Sequence, residues 1–343
     1  SGAARAWEVD GIRVQSVPSL DLSKVTRAQV SLSPRVVLEA ARLGRTLRPD
    51  VLHANGLHFQ TSVAAAVLRY RTGYPMVTTV HLARPEGLRP LLRTATLSYE
   101  QTVGRFVLHG SAAVIAVSEG VREHVLSLGV GSERIVAVPN GVDHARFHPA
   151  GGRPVVRPRP VVLFVGRLIP NKGPQVLLEA VRLLHGGVDL EAVFVGDGPL
   201  RAQLERTVLA AGLSDVVRFE GHSSDVQGWM RKADVLVRPS FTEGLPLGVL
   251  EAMASRLCVV ASDVRGNREL VAEGRTGFLF PAGDARALVG TLARVLADAD
   301  RRREVARAGW QASHAYTWDV CAAATGEVLG RAANRLPAAG RRT

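Results

Sequence analysis

Short β-branched runs alternate with amphipathic, helix-spaced runs along most of this chain, and no other feature limits its folding as strongly. From Gly11 onward the strand-like segments IRVQSV, DVLHAN, MVTTVH, AVIAVS and IVAVPN are separated by helical spacing over residues 34–47, 59–71, 88–108 and 121–128. Strands bridged by helices are joined in parallel, so the pattern predicts βαβ units around buried parallel sheets. It stops at PAGGRPVVRPRP, residues 149–160, where Pro, Gly and Arg leave neither period. VVLFVG restarts it, followed by EAVFVGD, VVRFEG, DVLVRPS, CVVASD and GFLF, with helical pieces over 174–184, 200–211, 225–232, 247–255, 269–272 and 285–296. Six strands make a full doubly wound domain. Within 285–296, Leu288, Leu292, Val295 and Leu296 share one face, which is expected on the sheet. The organisation expected is a domain over 1–148, a linker over 149–160, a second domain over 161–315, and a closing helical segment, 316–343, that folds back across the linker.

At 343 residues the chain is long enough for two such cores. Hydrophobic residues at 46% with aromatics at only 5% suit Val, Leu and Ala packed between helices and parallel strands, and count against an aromatic-rich β-sandwich. Lys and Arg total 43 against 31 Asp and Glu, a net charge of +12 that favours phosphorylated small molecules, an acidic membrane surface or nucleic acid. The excess is even, with 17 basic against 11 acidic residues in 1–150 and 26 against 20 beyond. Without a basic arm or an aromatic platform, a nucleic-acid partner is not expected. Cys258 and Cys321 have neither metal-ligand spacing nor a disulfide framework, and read as inert thiols. No apolar run approaches the roughly 18–20 residues that span a bilayer, and SGAARAWEVDG carries no signal-peptide apolar region. The expectation is a cytoplasmic protein, soluble or peripheral to the inner face of a membrane.

Two strand-to-helix junctions carry the chemistry. VVLFV runs into Gly166-Arg167-Leu168-Ile169-Pro170-Asn171-Lys172-Gly173, and ligands of doubly wound sheets bind beyond the carboxyl ends of strands. Gly166 lets backbone approach a ligand, Arg167 offers a planar fork and Lys172 a point charge, a set suited to an anionic diphosphate. Taken alone, the same residues also fit a solvated turn. The second junction reads Arg238-Pro239-Ser240-Phe241-Thr242-Glu243-Gly244-Leu245-Pro246-Leu247-Gly248, with Glu251 on the helix that follows. Gly244, Pro246 and Gly248 leave accessible amides at a helix N-terminus, a natural phosphate site. Seven residues separate Glu243 in the loop from Glu251 in the helix, so the two do not form the facing pair of a glycosidase and read instead as hydroxyl ligands. Each Glu by itself is equally a surface or capping carboxylate. No cluster of carboxylates or histidines has metal-ligand spacing.

Read together, these segments resemble the donor-binding motifs of family 4 glycosyltransferases. The resemblance runs from about Arg48 to Trp318 and takes in VGDGP (195–199), FEG (219–221), CVVASD (258–263), GRTGFL (274–279), AVS (116–118) and VPNGVD (138–143). It implies an α/β chain of the GT-B fold, two Rossmann-like doubly wound domains facing a cleft, with the acceptor on the 1–148 side and the donor on the 161–315 side. The family opens with a strand and a Gly-rich loop that nothing between Ser1 and Gly11 supplies, so the N-terminal domain is expected to lack its first strand and helix. The activity implied is that of a retaining, metal-independent hexosyltransferase with no cofactor and a nucleotide-diphosphate sugar, a UDP- or GDP-sugar, as co-substrate. Arg167 and Lys172 would hold the diphosphate and stabilise charge on the leaving phosphate, while Gly166 and the loop Gly244, Leu245, Pro246, Leu247 would present backbone to the donor. Glu243 would contact the transferred sugar, Glu251 the ribose hydroxyls, and Phe219 and His222 would lie near the base. His81, which by itself is an ordinary polar strand end, would face the donor across the cleft. The acceptor, a sugar, a small metabolite or a lipid, is not written in these motifs.

Other readings stay open on the residues alone. A nicotinamide-dependent enzyme needs G-x-G-x-x-G after a strand, and VGDGPL has only two of the glycines. In the segment 84–105, Arg84, Arg89, Arg93 and Arg105 lie among Leu88, Leu91, Leu92 and Leu97, with Phe106 and Val107 beyond, a pattern that fits an anionic bilayer and a lipid acceptor and equally a core-facing helix with solvated arginines. The missing first strand leaves room for an inactive, transferase-fold binding protein.

Overall fold

The computed structural model describes residues 5–21, 31–82, 90–149 and 159–334. Two parallel sheets account for most of them. The first has β5 (Leu52–Asn55), β6 (Met76–Val80), β7 (Ala113–Ala116) and β8 (Ile135–Ala137) side by side in chain order. All five residues of β6 are buried, as they must be in a strand flanked on both edges and covered on both faces. The intervening helices are α1 (Val36–Leu47), which precedes β5, α2 (Gln60–Thr72), then α3 (Pro90–Tyr99) and α4 (Arg105–Gly110) joined by a π turn at Glu100–Gly104, and α5 (Glu119–Ser127). Arg84, Leu88 and Arg89 of the arginine-rich segment lie outside the described residues, as do residues 150–158 of the linker.

IRVQSV is not a strand of this sheet. Ile12–Gln15 (β2) pairs antiparallel with Ala6–Val9 (β1), with Val9 opposite Ile12. The reason is local: Asp10 and Gly11 both have positive φ, 50° and 78°, the backbone of a two-residue hairpin turn for which Asp-Gly is favoured. A second short antiparallel pair joins β3 (Leu20–Asp21) to β4 (Ser31–Leu32).

The second sheet contains β9 (Val161–Val165), β10 (Glu191–Val195), β11 (Val217–Gly221), β12 (Val235–Arg238), β13 (Cys258–Ser262) and β14 (Phe278–Phe280), all parallel, in the order β11-β10-β9-β12-β13-β14. The chain therefore winds outward from β9 in one direction, returns, and winds outward from β12 in the other. Between β9 and β12 the winding reverses, and a doubly wound sheet opens its ligand crevice at the carboxyl ends of the strands flanking that point. Helices α6 (Pro174–Leu184), α7 (Arg201–Ala210), α8 (Val226–Lys232), α9 (Leu247–Ala254) and α11 (Ala285–Ala297) fill the crossovers or cover the faces. Phe164, Phe194 and Phe280 are no more than 1% exposed, each worth about 2–3 kcal/mol of burial. Leu288, Leu292 and Val295 of α11 are buried against this core.

Two helical pieces differ from the sequence reading. The short helix near 269–272 is instead α10, Arg265–Arg268, which leaves Glu269 just past its end. Between 298 and 314 lies α12, Ala299–Ser313, which hydrophobic spacing did not reveal, because its buried positions are Val305, Ala306, Gly309 and Ser313. These are small residues, chosen for close approach: a Cβ on Gly309 would sit 2.9 Å from the Thr276 carbonyl oxygen. The last helix, α13 (Trp318–Ala333), returns to the first sheet, where Val328 and Ala332 pack with Val77, Ile115 and Val138.

Candidate active site

The loops that follow β9 and β12 meet at the reversal point. Lys172 ends a single 3₁₀ turn, Pro170–Lys172, that Gly173 closes in the left-handed region at φ 69°. Gly173 is forced by its neighbour as well, since a Cβ there would lie 2.0 Å from the Pro239 carbonyl oxygen. The Phe241 amide donates to the Asn171 carbonyl at 2.9 Å, which ties the two loops a second time. Ser262 and Asn267 brace the β12 loop from beneath: the Asn267 amide donates to the Ser262 carbonyl at 2.8 Å and the Ser262 hydroxyl donates to the Ser240 carbonyl.

Glu243 lies at the centre of the junction and is 6% exposed. Lys172 Nζ is 2.9 Å from each of its carboxylate oxygens. Arg238, itself buried, places Nε and Nη2 at 2.8 and 2.7 Å from Oε1, while Nη1 donates to the Val165 carbonyl at 2.9 Å. Burial alone would raise the Glu243 pKa, but the Arg238 and Lys172 charges reverse that and hold it at about 2. Lys172 is pushed down from the usual lysine value by burial and by Arg238, against the pull of Glu243. Arg167, exposed on the same loop, has no carboxylate at ion-pair distance among the described residues. A cation without a carboxylate partner and one paired to Glu243 thus lie on the same loop.

The first sheet closes over this junction. Gly244 packs on the His81 backbone, so closely that a Cβ would meet the His81 carbonyl oxygen at 1.9 Å. Asn140 Nδ2 donates to the Leu245 carbonyl at 3.1 Å. His81 is exposed just past the end of β6, and its ring is bonded through Nε2 to Asn55 Oδ1. Partial burial, with His53 nearby, holds its pKa below the ordinary histidine value. Leu245 and Pro246 are buried and Leu247 is exposed at the start of α9. Glu251, on the next turns of α9, is half-buried, and burial raises its pKa against the charges of Arg146 and Arg238.

The structure therefore gathers Gly166, Lys172, Glu243, Gly244 and the His81 backbone at one point, with Arg167 on the rim. Phe219 and His222 stand apart, at the end of β11, two strands away from β9; Phe219 stacks on Phe194 at 4.9 Å and His222 is exposed. Arg146 reaches this region from the first half, donating to the Ser224 carbonyl and to Gln227 Oε1. The sequence reading assigned nothing to Arg238. Its signal was present, a charge closing the apolar run VLV, because a buried strand end tolerates Arg only with partners.

Two family models match the chain in succession, Glycosyltransferase Family 4 over residues 3–146 and Glycosyl transferases group 1 over residues 159–298. The D-inositol 3-phosphate glycosyltransferase of Paenarthrobacter aurescens (strain TC1) is 30% identical over 310 residues, covering 84% of this chain and 74% of that protein. Sulfoquinovosyl transferase SQD2 of Arabidopsis thaliana is 28% identical over 301 residues, covering 84% of this chain but only 57% of the plant protein. Among solved structures, Anabaena Alr3699/HepE in complex with UDP-glucose aligns with a TM-score of 0.75 at 22% identity, over 86% of this chain and 82% of that one, a likeness of fold. Matched in both halves and related at 30% identity along most of a protein named as a glycosyltransferase, the chain belongs to glycosyltransferase family 4 and is a glycosyltransferase of the GT-B fold.

Proposed function

We propose that the protein moves a sugar from a nucleoside-diphosphate sugar to an acceptor hydroxyl, with retention of anomeric configuration and without a metal ion. The observation that carries the reading is the buried Glu243 with Lys172 at the switch point of the second sheet. In this reading residues 161–315 hold the donor and residues 1–148 the acceptor. Arg167 and Lys172 bind the diphosphate, with Gly166 letting backbone approach it, while the backbone of 244–247 contacts the transferred sugar. Glu243 accepts from a hydroxyl of the transferred sugar, Glu251 from the ribose, and Phe219 and His222 flank the base. The bond from the sugar carbon to the phosphate oxygen breaks while the acceptor oxygen bonds to the same face of that carbon, and the acceptor proton passes to the leaving phosphate. The enzyme then needs no nucleophile of its own, and its contribution is positioning and electrostatic stabilisation of the leaving group.

The Anabaena neighbour was crystallised with UDP-glucose, which supports a UDP-sugar, with a GDP-sugar as the alternative. The name of one relative gives an inositol 3-phosphate as acceptor and that of the other gives a sulfoquinovosyl group as the sugar transferred, and the acceptor proposed for this chain is a sugar, a small metabolite or a lipid. Among the described residues no helix is long and apolar enough to cross a membrane; we place the protein in the cytoplasm, with peripheral contact to the inner membrane face if the acceptor is a lipid.

The test is a thermal-shift panel of UDP, GDP, ADP, CDP and dTDP, in which a ligand at 100 times its Kd adds about 2.7 kcal/mol of stability. One nucleotide is expected to respond, and the response to be lost in Lys172→Ala. Turnover should fall at least about a hundredfold in Lys172→Ala or Arg167→Ala with the fold intact, and chelators should leave the wild-type rate unchanged. Silence across the panel from folded protein would remove the donor site.

A further inference from the structure

The donor reading leaves a difficulty that the ion-pair geometry resolves. Lys172 is assigned to the donor phosphates, yet in this structure it is bound to Glu243 through both carboxylate oxygens. Glu243 is too deeply buried to remain charged without a cation, and a buried carboxylate that loses its partner is strongly destabilising. If Lys172 were the sole counter-charge, it could not turn to the phosphates.

We infer that Arg238 is a positioning residue that holds Glu243 by Oε1 and so frees Lys172 to exchange Oε2 for the donor phosphates. The inference rests on the donor reading above. Its geometric basis is the asymmetry of the two cations. The Arg238 hydrogen bond at 2.8 Å and its closest ion-pair contact at 2.7 Å both fall on Oε1, and the cation hydrogen-bonded to Oε2 is Lys172. Arg238 is anchored at a third point, the Val165 carbonyl that closes β9, and its Nη1 fills the space beside Gly166, 3.1 Å from where a Cβ would stand there. It is fixed by its place at the end of β12 and by a planar fork whose three nitrogens are engaged by two partners, Glu243 and the Val165 carbonyl. Lys172 stands on a single turn at the edge of the crevice, with a side chain 18% exposed and a flexible four-carbon stem. One cation is built to stay and the other to move.

Three consequences follow for the site. When the donor arrives, Lys172 moves to the phosphates and Glu243 stays ionised on Arg238. Oε2, the oxygen Lys172 vacates, becomes the one that accepts the sugar hydroxyl. The guanidinium also joins the Gly166 loop to the Glu243 loop, so the phosphate-binding and sugar-binding backbones keep a fixed separation.

The experiment is calorimetric binding of UDP, or of GDP if the panel selects it, to the full chain. Arg238→Met should bind at least about tenfold more weakly, because Lys172 is then retained as the carboxylate's remaining cation. Adding Glu243→Gln removes the charge that retains it, and Arg238→Met/Glu243→Gln should recover affinity to within about threefold of wild type while turnover stays low. A merely structural Arg238 predicts no such rescue. Should Arg238→Met fail to fold, Arg238→Gln, neutral but still able to hydrogen-bond, carries the same comparison: weaker binding than wild type, restored by Glu243→Gln. Wild-type affinity in the single variant, or a double variant no better than the single, overturns the inference. Wild-type protein that binds none of the diphosphates overturns the donor reading instead.

Discussion

Gly173 shows how much of this site depends on one missing side chain. Its φ of 69° is one that L-residues adopt reluctantly, and a Cβ would enter the Pro239 carbonyl oxygen at 2.0 Å. Backbone cannot give way there without parting the loops that present Lys172 and Glu243. We expect Gly173→Ala to cost roughly 2–4 kcal/mol, a fall in Tm of several degrees by calorimetry. Gly290, in the middle of α11, has nothing within 4 Å of its Cβ position, and Gly290→Ala should stabilise by about 0.5–1 kcal/mol through helix propensity. Equal shifts of the same sign in the two variants would refute the close-approach argument. In the sequence one glycine precedes a helix and the other lies within one, and the structure adds the positive φ and the Pro239 contact at Gly173.

At the scale of elements, the π turn Glu100–Gly104 is held by a buried carboxylate. Glu100, 1% exposed, meets His58 Nε2 at 3.0 Å and His124 Nε2 at 3.3 Å, which joins the loop after β5, the α3–α4 helix and α5. Burial pushes its pKa up, but the two histidines against its oxygens more than compensate and hold it at about 2. A carboxyl with a folded-state pKa below its unfolded value contributes fully above the unfolded value of about 4.5 and loses that contribution as pH falls toward 2. We therefore expect Glu100→Gln to be less stable than wild type by up to about 3 kcal/mol at pH 5, with the gap narrowing as pH falls from about 4.5 to 2. Urea titrations across that window check it, and a gap independent of pH would show that the carboxylate is not ionised there. Helix spacing over 88–108 anticipated this element, whereas its π turn depends on partners from two other segments.

Across the whole molecule, the two halves meet through polar contacts that no local pattern announces. Glu269, just past α10, accepts from the Glu119 and Gly120 amides at 2.9 and 2.7 Å and so caps α5 of the other half, beside the Arg265–Glu123 ion pair. Asn140 on Leu245 and Gly244 on His81 complete the seam at the candidate site. Loss of a helix cap costs about 1–2 kcal/mol, which multiplies an open population roughly five- to thirtyfold. Glu269→Ala should accordingly show a larger radius of gyration by small-angle scattering without ligand, with the difference reduced by the nucleotide that the panel selects. Superimposable scattering profiles would mean that this contact does not govern closure.

The sequence by itself determined where most strands and helices of the two parallel sheets lie and which two loops carry charge, because two-sided burial, amphipathic spacing and glycine positions are written residue by residue. It misread Ile12–Gln15, whose Asp-Gly turn was overridden by its apolar run, and missed α12, whose buried face is too small to show a hydrophobic period. Only the tertiary structure decided that β9 stands beside β12, and hence that Lys172 reaches a carboxylate 71 residues away, Arg238 a carbonyl 73 residues away and Glu269 a helix end 149 residues away. Periodicity reports the environment each residue needs. Which partner supplies that environment depends on strand order, and strand order is settled by packing summed over the whole sheet.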